Sequence, residues 1–486
     1  MNSFLRTYTV ALTSFLSVLL LISCKTATTA EIINDSQTQS KGNVSTDVQF
    51  WNTTSDKTVL FQRQNVALNF SNQAQGYVTI TVDTTQTYQS IDGFGYALTG
   101  GSATLINSLD DAAKTALLKE LFQTDSTFIG VSYLRISLGA SDLSDEPFTY
   151  DEISGVQRDD NLQYFSMSKE ATDLIPILQK IVAINPKIKI IATPWTAPTW
   201  MKTNSSFVGG NLRSACYDVY SRYFVKYLKA MADAGITIDA ITPQNEPLNA
   251  YNNPSMLMSA DEEANFIKNY LGPQLKTNNL NTKIIIYDHN LDRPDYPLSV
   301  LGDQDANAYV DGSAFHLYSG DIGTMSSVHS YYPTKNLYFT EQYTASTGTF
   351  SVDLQWHVQN LIIGATRNWS RNVIEWNLAS NPNLGPHTSG GCSTCLGAIT
   401  VSSSVSRNVS YYVVAHAAKF VRPGSVRIAS DIVNSNLPNV AFKTPDGHKV
   451  LIVLNTNSSA TTFNINFNGK YVSPTLPSGS VGTFIW

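Results

Sequence analysis

Two glutamates stand where short apolar runs end, Glu246 in ITPQNEPL and Glu341 in NLYFTEQ. Pro243 and Pro247 restrict the first segment to extended or turn geometry, which puts Glu246 where a strand stops and a loop begins. A lone glutamate in such a place is ordinarily a helix cap or a solvated charge. Other runs, however, end in residues of a matching kind: Trp195 and Trp200 in TPWTAPTW, His316 and Tyr318 in FHLY, Trp376 in IEWN. Two carboxyl groups among flat rings can break an acetal bond such as a glycosidic linkage. One protonates the departing oxygen, and the other attacks the anomeric carbon or activates water against it. At a separation of about 5–5.5 Å the second glutamate is the nucleophile and configuration is retained. Oxygens more than about 8 Å apart would exclude that route. The acid needs a raised pKa, which a neighbouring carboxylate and apolar walls would supply. Asn245 is placed to bond a sugar 2-hydroxyl, and the Trp rings offer stacking faces.

For these groups to meet, the runs must be parallel strands with their ends together. From about 91 to 376 the runs IDGFGYAL, GVSYLRISL, KIKIIATPW, DAITPQNEP, KIIIYDHN, VDGSAFHLY, NLYFTEQY and NVIEWNL alternate with longer segments that can hold helices. In CYDVYSRYFVKYLKAMADAG, Val219, Tyr223, Lys226, Tyr227 and Met231 fall near helical spacing and Gly235 is a stop. Eight β-then-α units over such a span predict an α/β fold, a (β/α)8 TIM barrel, whose active groups project from the C-terminal strand ends. Glu246 then ends the fourth strand and Glu341 the seventh.

The flanks read as β structure. YVTITV lies on one side, and NVAFKTPDGHKVLIVLN, with a hairpin signal at 445–447, on the other. Each piece alone would be marginal, so the two are expected to pair into one side β-sandwich. The expected boundaries are 88–420 for the barrel and 47–87 with 421–486 for the sandwich. Before them, Arg6 and the run VALTSFLSVLLLIS are too short for a membrane span and right for a signal peptide. The run ends in LISC, which resembles the lipobox of bacterial lipoproteins. On that reading residues 1–24 are the signal with Cys24 acylated, residues 25–46 are a polar tether, and the protein is exported and anchored to a membrane by lipid alone. A plain secretory signal with an incidental cysteine is the alternative. Cys392 and Cys395 in GGCSTC could be a redox pair, part of a metal site with His387, or a loop-stiffening bridge; a structural zinc site takes four ligands and only three are near.

Composition narrows the partners. Charged residues are only 14% of the chain while aromatics reach 11%, a neutral polar surface rich in rings that suits carbohydrate. A formal charge of -6 with no Lys/Arg run argues against nucleic acid. Two carboxylates complete the reaction, so no cofactor and no metal is called for.

The motifs GFGYALTG, ATPWTAPTWMKTN, ITPQNEP, FHLY, FTEQ, EWNLA and VRPGSVRI together resemble glycoside hydrolase family 30, the group of glucosylceramidases and endo-β-1,6-glucanases. The resemblance runs from about 88 to 430. It implies Glu246 as acid/base and Glu341 as nucleophile, with Asn245, Trp195, His316, Tyr318 and Trp376 lining the sugar site and Arg135 supporting its mouth. Trp200 is either core or ligand, His289 and Asp142 are within possible reach of substrate, and Asp92 reads as a turn former. One departure stands out: glucosylceramidase-like members carry Asp where this chain has Gly100, and that Asp holds hydroxyls on the far side of the glucose. The vacancy is expected to open space for a glucan continuing through its 6-oxygen, which favours an endo-β-1,6-glucanase. The alternatives are a glucosylceramidase or exo-β-glucosidase on the same fold, and a non-catalytic glycan-binding lipoprotein.

Overall fold

The computed structural model describes residues 44–155 and 157–486; Cys24, the predicted signal and the predicted tether up to residue 43 lie outside that range. Eight parallel strands close into a barrel: β1 (Gly93–Ala97), β2 (Tyr133–Ser137), β3 (Lys189–Thr193), β4 (Ala240–Ile241), β5 (Lys283–Asn290), β6 (Val310–His316), β7 (Asn336–Glu341) and β8 (Ser370–Glu375). They correspond one for one to the eight apolar runs. Every residue of β1 and β2 is buried, as expected for strands covered on both faces. Gly95 is required where β1 meets β2, since a Cβ there would fall 1.8 Å from the Tyr133 carbonyl oxygen.

Side-chain alternation sets the interior. Tyr133, Ile191, Ala240, Ile285, Ala314, Tyr338 and Ile374, one from each of seven strands, pack together as an apolar floor. Two residues further along, the same inward face carries Arg135, Thr193, Thr242, His316, Thr340 and Trp376. The layer above the floor is therefore polar, and it lies at the C-terminal strand ends.

Helices cover the outside. Helix Tyr217–Asp233 buries Val219, Tyr223, Tyr227 and Met231, and Gly235 (φ +79°) ends it in the left-handed region. Lys226 is exposed, and its ammonium bonds the Leu162 carbonyl 2.5 Å away.

The flanking segments pair as their patterns predict. A nine-stranded sheet interleaves the N-terminal strands Gln49–Thr53 and Thr79–Ser90 with C-terminal strands that include Val426–Ser430, Asn439–Lys443, Lys449–Leu454 and Val481–Ile485. Alternate residues divide its faces. Ala441, Leu451 and Val453 join Phe50, Ile80 and Phe484 in the sandwich core, while Val440, Phe442, Val450 and Ile452 pack into the barrel's core. His416, buried on helix Val409–Ala418, adds a polar tie, its ring nitrogens 2.8 Å from the Thr53 and Thr483 hydroxyls. Among the described residues no helix is long and apolar enough to cross a membrane.

Candidate active site

Arg135 organises the polar layer. Fully buried, it donates to Glu341 Oε2 at 2.5 Å, Asn245 Oδ1 at 2.7 Å and Asp288 Oδ2 at 2.8 Å. Its guanidinium lies 4.8 Å from the Trp195 ring centre and 5.7 Å from that of Trp376, and the two indoles stack at 5.4 Å. Asp288 completes the layer: it also accepts from Thr242 Oγ1 (3.0 Å), Thr340 Oγ1 (2.6 Å) and His316 Nε2 (3.1 Å).

Glu246 sits on a stitched loop. Its amide donates to the Asp288 carbonyl at 3.0 Å, and the Asn245 amide to the Pro194 carbonyl at 2.8 Å, which ties the end of β4 to its neighbours β5 and β3. Glu246 has φ +43°, a strained value for a glutamate of the kind that collects at functional sites. Its carboxylate accepts from Asn249 Nδ2 at 2.7 Å and from His316 Nδ1 at 3.1 Å. Across the mouth, Glu341 accepts from Tyr318 Oη at 3.0 Å besides Arg135. One oxygen of Glu246, one of Glu341 and a His316 ring nitrogen lie within 4.8 Å of one another. The two carboxylates thus converge at the spacing of a retaining pair.

They open into a cleft of about 390 Å³ shared with Trp195, Tyr318, Tyr343, Trp376 and the Cys392 and Cys395 side chains. Tyr251, 89% exposed, stands at its rim.

Several expectations are refined. His316 and Arg135 are fully buried beneath the glutamates and act on them, so His316 does not line the sugar site. His289 and Asp142 do border the cleft. Trp200 lies outside it, its indole N–H donating to the Asp151 carbonyl at 2.9 Å. Asp92, at the opposite end of the barrel, pairs with Arg371. Cys392 and Cys395 are joined in a disulfide, and His387 instead places Nδ1 2.9 Å from the Thr388 carbonyl. Gly100 does not border the cleft, so the space expected beside it is not part of the cleft; a Cβ there would meet Ser144 Oγ at 3.0 Å. Asp288, Asn249 and Tyr251 were not singled out from sequence. Asp288 precedes the His289 noted in YDHN, but its left-handed backbone (φ +51°), which turns it inward at a bulge in β5, has no sequence signature.

The charges are shared unevenly. Burial alone would lower His316; Glu341, Asp288 and Glu246 more than reverse this and raise it to about 9. Near neutral pH it is therefore an imidazolium, with both ring nitrogens protonated and donating. Burial acts to raise Glu246, but the His316 bond and charge, with His289 and Asn249, bring it down to about 2. In the open site the proton thus rests on His316, against the raised value expected for Glu246. Glu341 is pushed upward by burial and by the charge of Glu246, against His316 and Arg135. Burial raises Tyr318, reinforced by Glu341 and Glu246, and it remains a phenol that donates.

A parallel barrel with a carboxylate pair at its C-terminal mouth defines a glycoside hydrolase that works by acid and nucleophile. Comparison with known proteins agrees. The glycosyl hydrolase family 30 TIM-barrel domain matches residues 91–421 and that family's β-sandwich domain residues 424–484. The chain belongs to glycosyl hydrolase family 30. It is 33% identical over 430 residues to endo-1,6-β-D-glucanase BGN16.3 of Trichoderma harzianum, covering 83% of this chain and 85% of that protein. Putative glucosylceramidase 2 of Caenorhabditis elegans is 30% identical over 406 residues, covering 78% and 77%. Among solved structures, the endo-β1,6-glucanase BT3312 superposes with a TM-score of 0.85 at 35% identity, covering 91% of this chain and 99% of that one.

Proposed function

We propose that the protein is a retaining endo-β-1,6-glucanase in which Glu341 is the nucleophile and Glu246 the acid/base. The observation that carries the mechanism is the approach of the two carboxylates to within 4.8 Å over an open cleft. Glu341, oriented by Arg135 and Tyr318, attacks the anomeric carbon as its bond to the leaving oxygen breaks. Glu246 delivers a proton to that oxygen. A shift along the 3.1 Å bond from His316 Nδ1 makes Glu246 the acid and leaves a neutral imidazole still held by Asp288 through Nε2. In the second half, Glu246 takes a proton from water, the water oxygen bonds the anomeric carbon, and Glu341 is released with configuration retained. Asn245 has its oxygen occupied by Arg135, so its NH₂ is the group left to bond the 2-hydroxyl.

The linkage rests on the relatives, since the endo-1,6-β-glucanases are similar over most of both chains. Gly100 does not border the cleft, so the sequence argument from it does not carry the linkage. The test is a panel of linear β-1,6-glucan, β-1,3-glucan, xylan and glucosylceramide, with products separated by length and the first anomer read by NMR. Release of glucose alone from β-1,6-glucan would defeat endo action, and an α-anomer appearing first would defeat retention.

We also infer that the protein is exported and anchored through Cys24, supported by the apolar run ending in LISC. Mass spectrometry of the mature N-terminus tests this: an unmodified Cys24, or cleavage elsewhere, overturns it.

A further inference from the structure

Six of the seven strands that supply the apolar floor keep strict alternation, so that two residues further on Arg135, Thr193, Thr242, His316, Thr340 and Trp376 face the interior. β5 does not. Its floor residue is Ile285, and regular alternation would turn Tyr287 inward and Asp288 outward. The structure has the reverse. The Asp288 carboxylate reaches Arg135, while the Tyr287 ring packs on Tyr296 of the covering helix Asp295–Gly302, ring centres 5.0 Å apart. Two consecutive left-handed residues make the exchange, Tyr287 (φ +73°) and Asp288 (φ +51°), where β5 shifts register against β6. Neither is a glycine, so the kink is strained and its surroundings must hold it.

Both catalytic glutamates hang on this kink. The Asp288 carbonyl receives the Glu246 amide at 3.0 Å, and the Asp288 carboxylate holds Arg135 and His316. Asn290 Oδ1 receives the Tyr318 amide at 2.9 Å, and Arg135 and Tyr318 in turn orient Glu341.

On the outer side stands a carboxyl that the reaction does not use. Glu263, on helix Ala260–Phe266, is fully buried, and its Oε1 accepts the Tyr287 amide at 3.3 Å. A buried backbone N–H needs such a partner, and here a side chain supplies it at the kink itself. Burial raises Glu263 to about 8, against the Tyr287 amide and the Tyr296 hydroxyl beside it. Near neutral pH the group is a carboxylic acid, which accepts the amide without setting a second negative charge behind Asp288.

We propose that Glu263 is a positioning residue for hydrolysis: by holding the Tyr287 amide from outside the barrel, it keeps β5 kinked so that Asp288 and not Tyr287 enters the polar layer. The proposal rests on the carboxylate pair assigned above, and it extends that site to a residue that touches no substrate.

The experiment measures kcat and KM for wild type, Glu263→Met, Glu263→Asp and Glu263→Gln on the glycan of the panel above that the wild type cleaves fastest, with cooperative unfolding as the check on folding. Glu263→Met leaves the Tyr287 amide buried without an acceptor. It should lower kcat about 10–100-fold while KM stays within about twofold, the split of an interaction felt only in the transition state. Glu263→Asp draws the acceptor back by one methylene, should lose about tenfold in kcat, and carries the test if the methionine variant does not fold. Glu263→Gln keeps a neutral acceptor in place and should stay within about threefold of wild type. Wild-type kcat in a folded methionine or aspartate variant overturns the proposal. So does a glutamine variant as impaired as the methionine one, or a loss that falls wholly on KM. These outcomes leave the hydrolase reading standing, whereas a wild type that cleaves none of the glycans overturns that reading and this proposal with it.

Discussion

Arg135 and Asp288 form an ion pair 2.8 Å long in which neither side chain is exposed to solvent. The pair is the base on which the carboxylates at the mouth are set, since Arg135 also holds Glu341 and Asp288 also holds His316. Replacing one partner leaves the other as a buried charge that is only partly compensated. Asp288→Asn should therefore destabilise the protein by about 3–5 kcal/mol as well as lower activity. Denaturant unfolding measures the first quantity, and a change below about 0.5 kcal/mol, the range of an ordinary surface substitution, would refute it.

Tyr318 touches Glu341 through one hydrogen bond while its ring stands partly in solvent at the mouth. Tyr318→Phe removes that bond and little packing. Turnover should fall about 10–100-fold with the melting temperature nearly unchanged. A large loss of thermal stability would show that the ring, not the hydroxyl, is the contribution that matters.

Removal of the nucleophile and of the acid should differ in kind. Glu341→Gln should abolish turnover on every substrate while glycan affinity persists. Glu246→Gln should cost about 10²–10⁴-fold with poor leaving groups. It should cost far less with an aryl glucoside whose leaving group needs no proton. Equal losses on both substrate types would reverse or void the assignment.

The elevated His316 predicts a pH dependence of stability. Its folded value of about 9 lies above the ordinary 6.5, so between these the folded state binds the extra proton. Its contribution is fully present below about 6.5 and is lost as pH rises through 9, because there the unfolded state binds fewer protons. Unfolding free energy should decline from pH 7 to pH 9.5 in the wild type and more shallowly in His316→Gln. Parallel profiles would show that the imidazolium is not the group responsible.

Much of this was legible in the amino-acid order. The eight apolar runs announced the barrel strands because strands buried on both faces must be apolar throughout. The alternation in YVTITV and its C-terminal counterparts announced a sheet with two faces for the same geometric reason. Glu246, Glu341, Trp195 and Trp376 were legible because strand ends in a barrel share one mouth.

What the order of residues left open concerns groups that meet only when distant segments do. Asp288 turns inward through a left-handed kink at a bulge, and no residue type spells that backbone. His316 reads the same whether it faces sugar or lies under two glutamates; three carboxylates, against the effect of burial, made it a cation. Gly100 suggested space at the cleft's edge, yet it lies outside the cleft, beside Ser144. Local periodicity is a property of neighbours in the chain and survives in the sequence. The charge state of a buried carboxylate is a sum over neighbours in space, and only the closed barrel decides who they are.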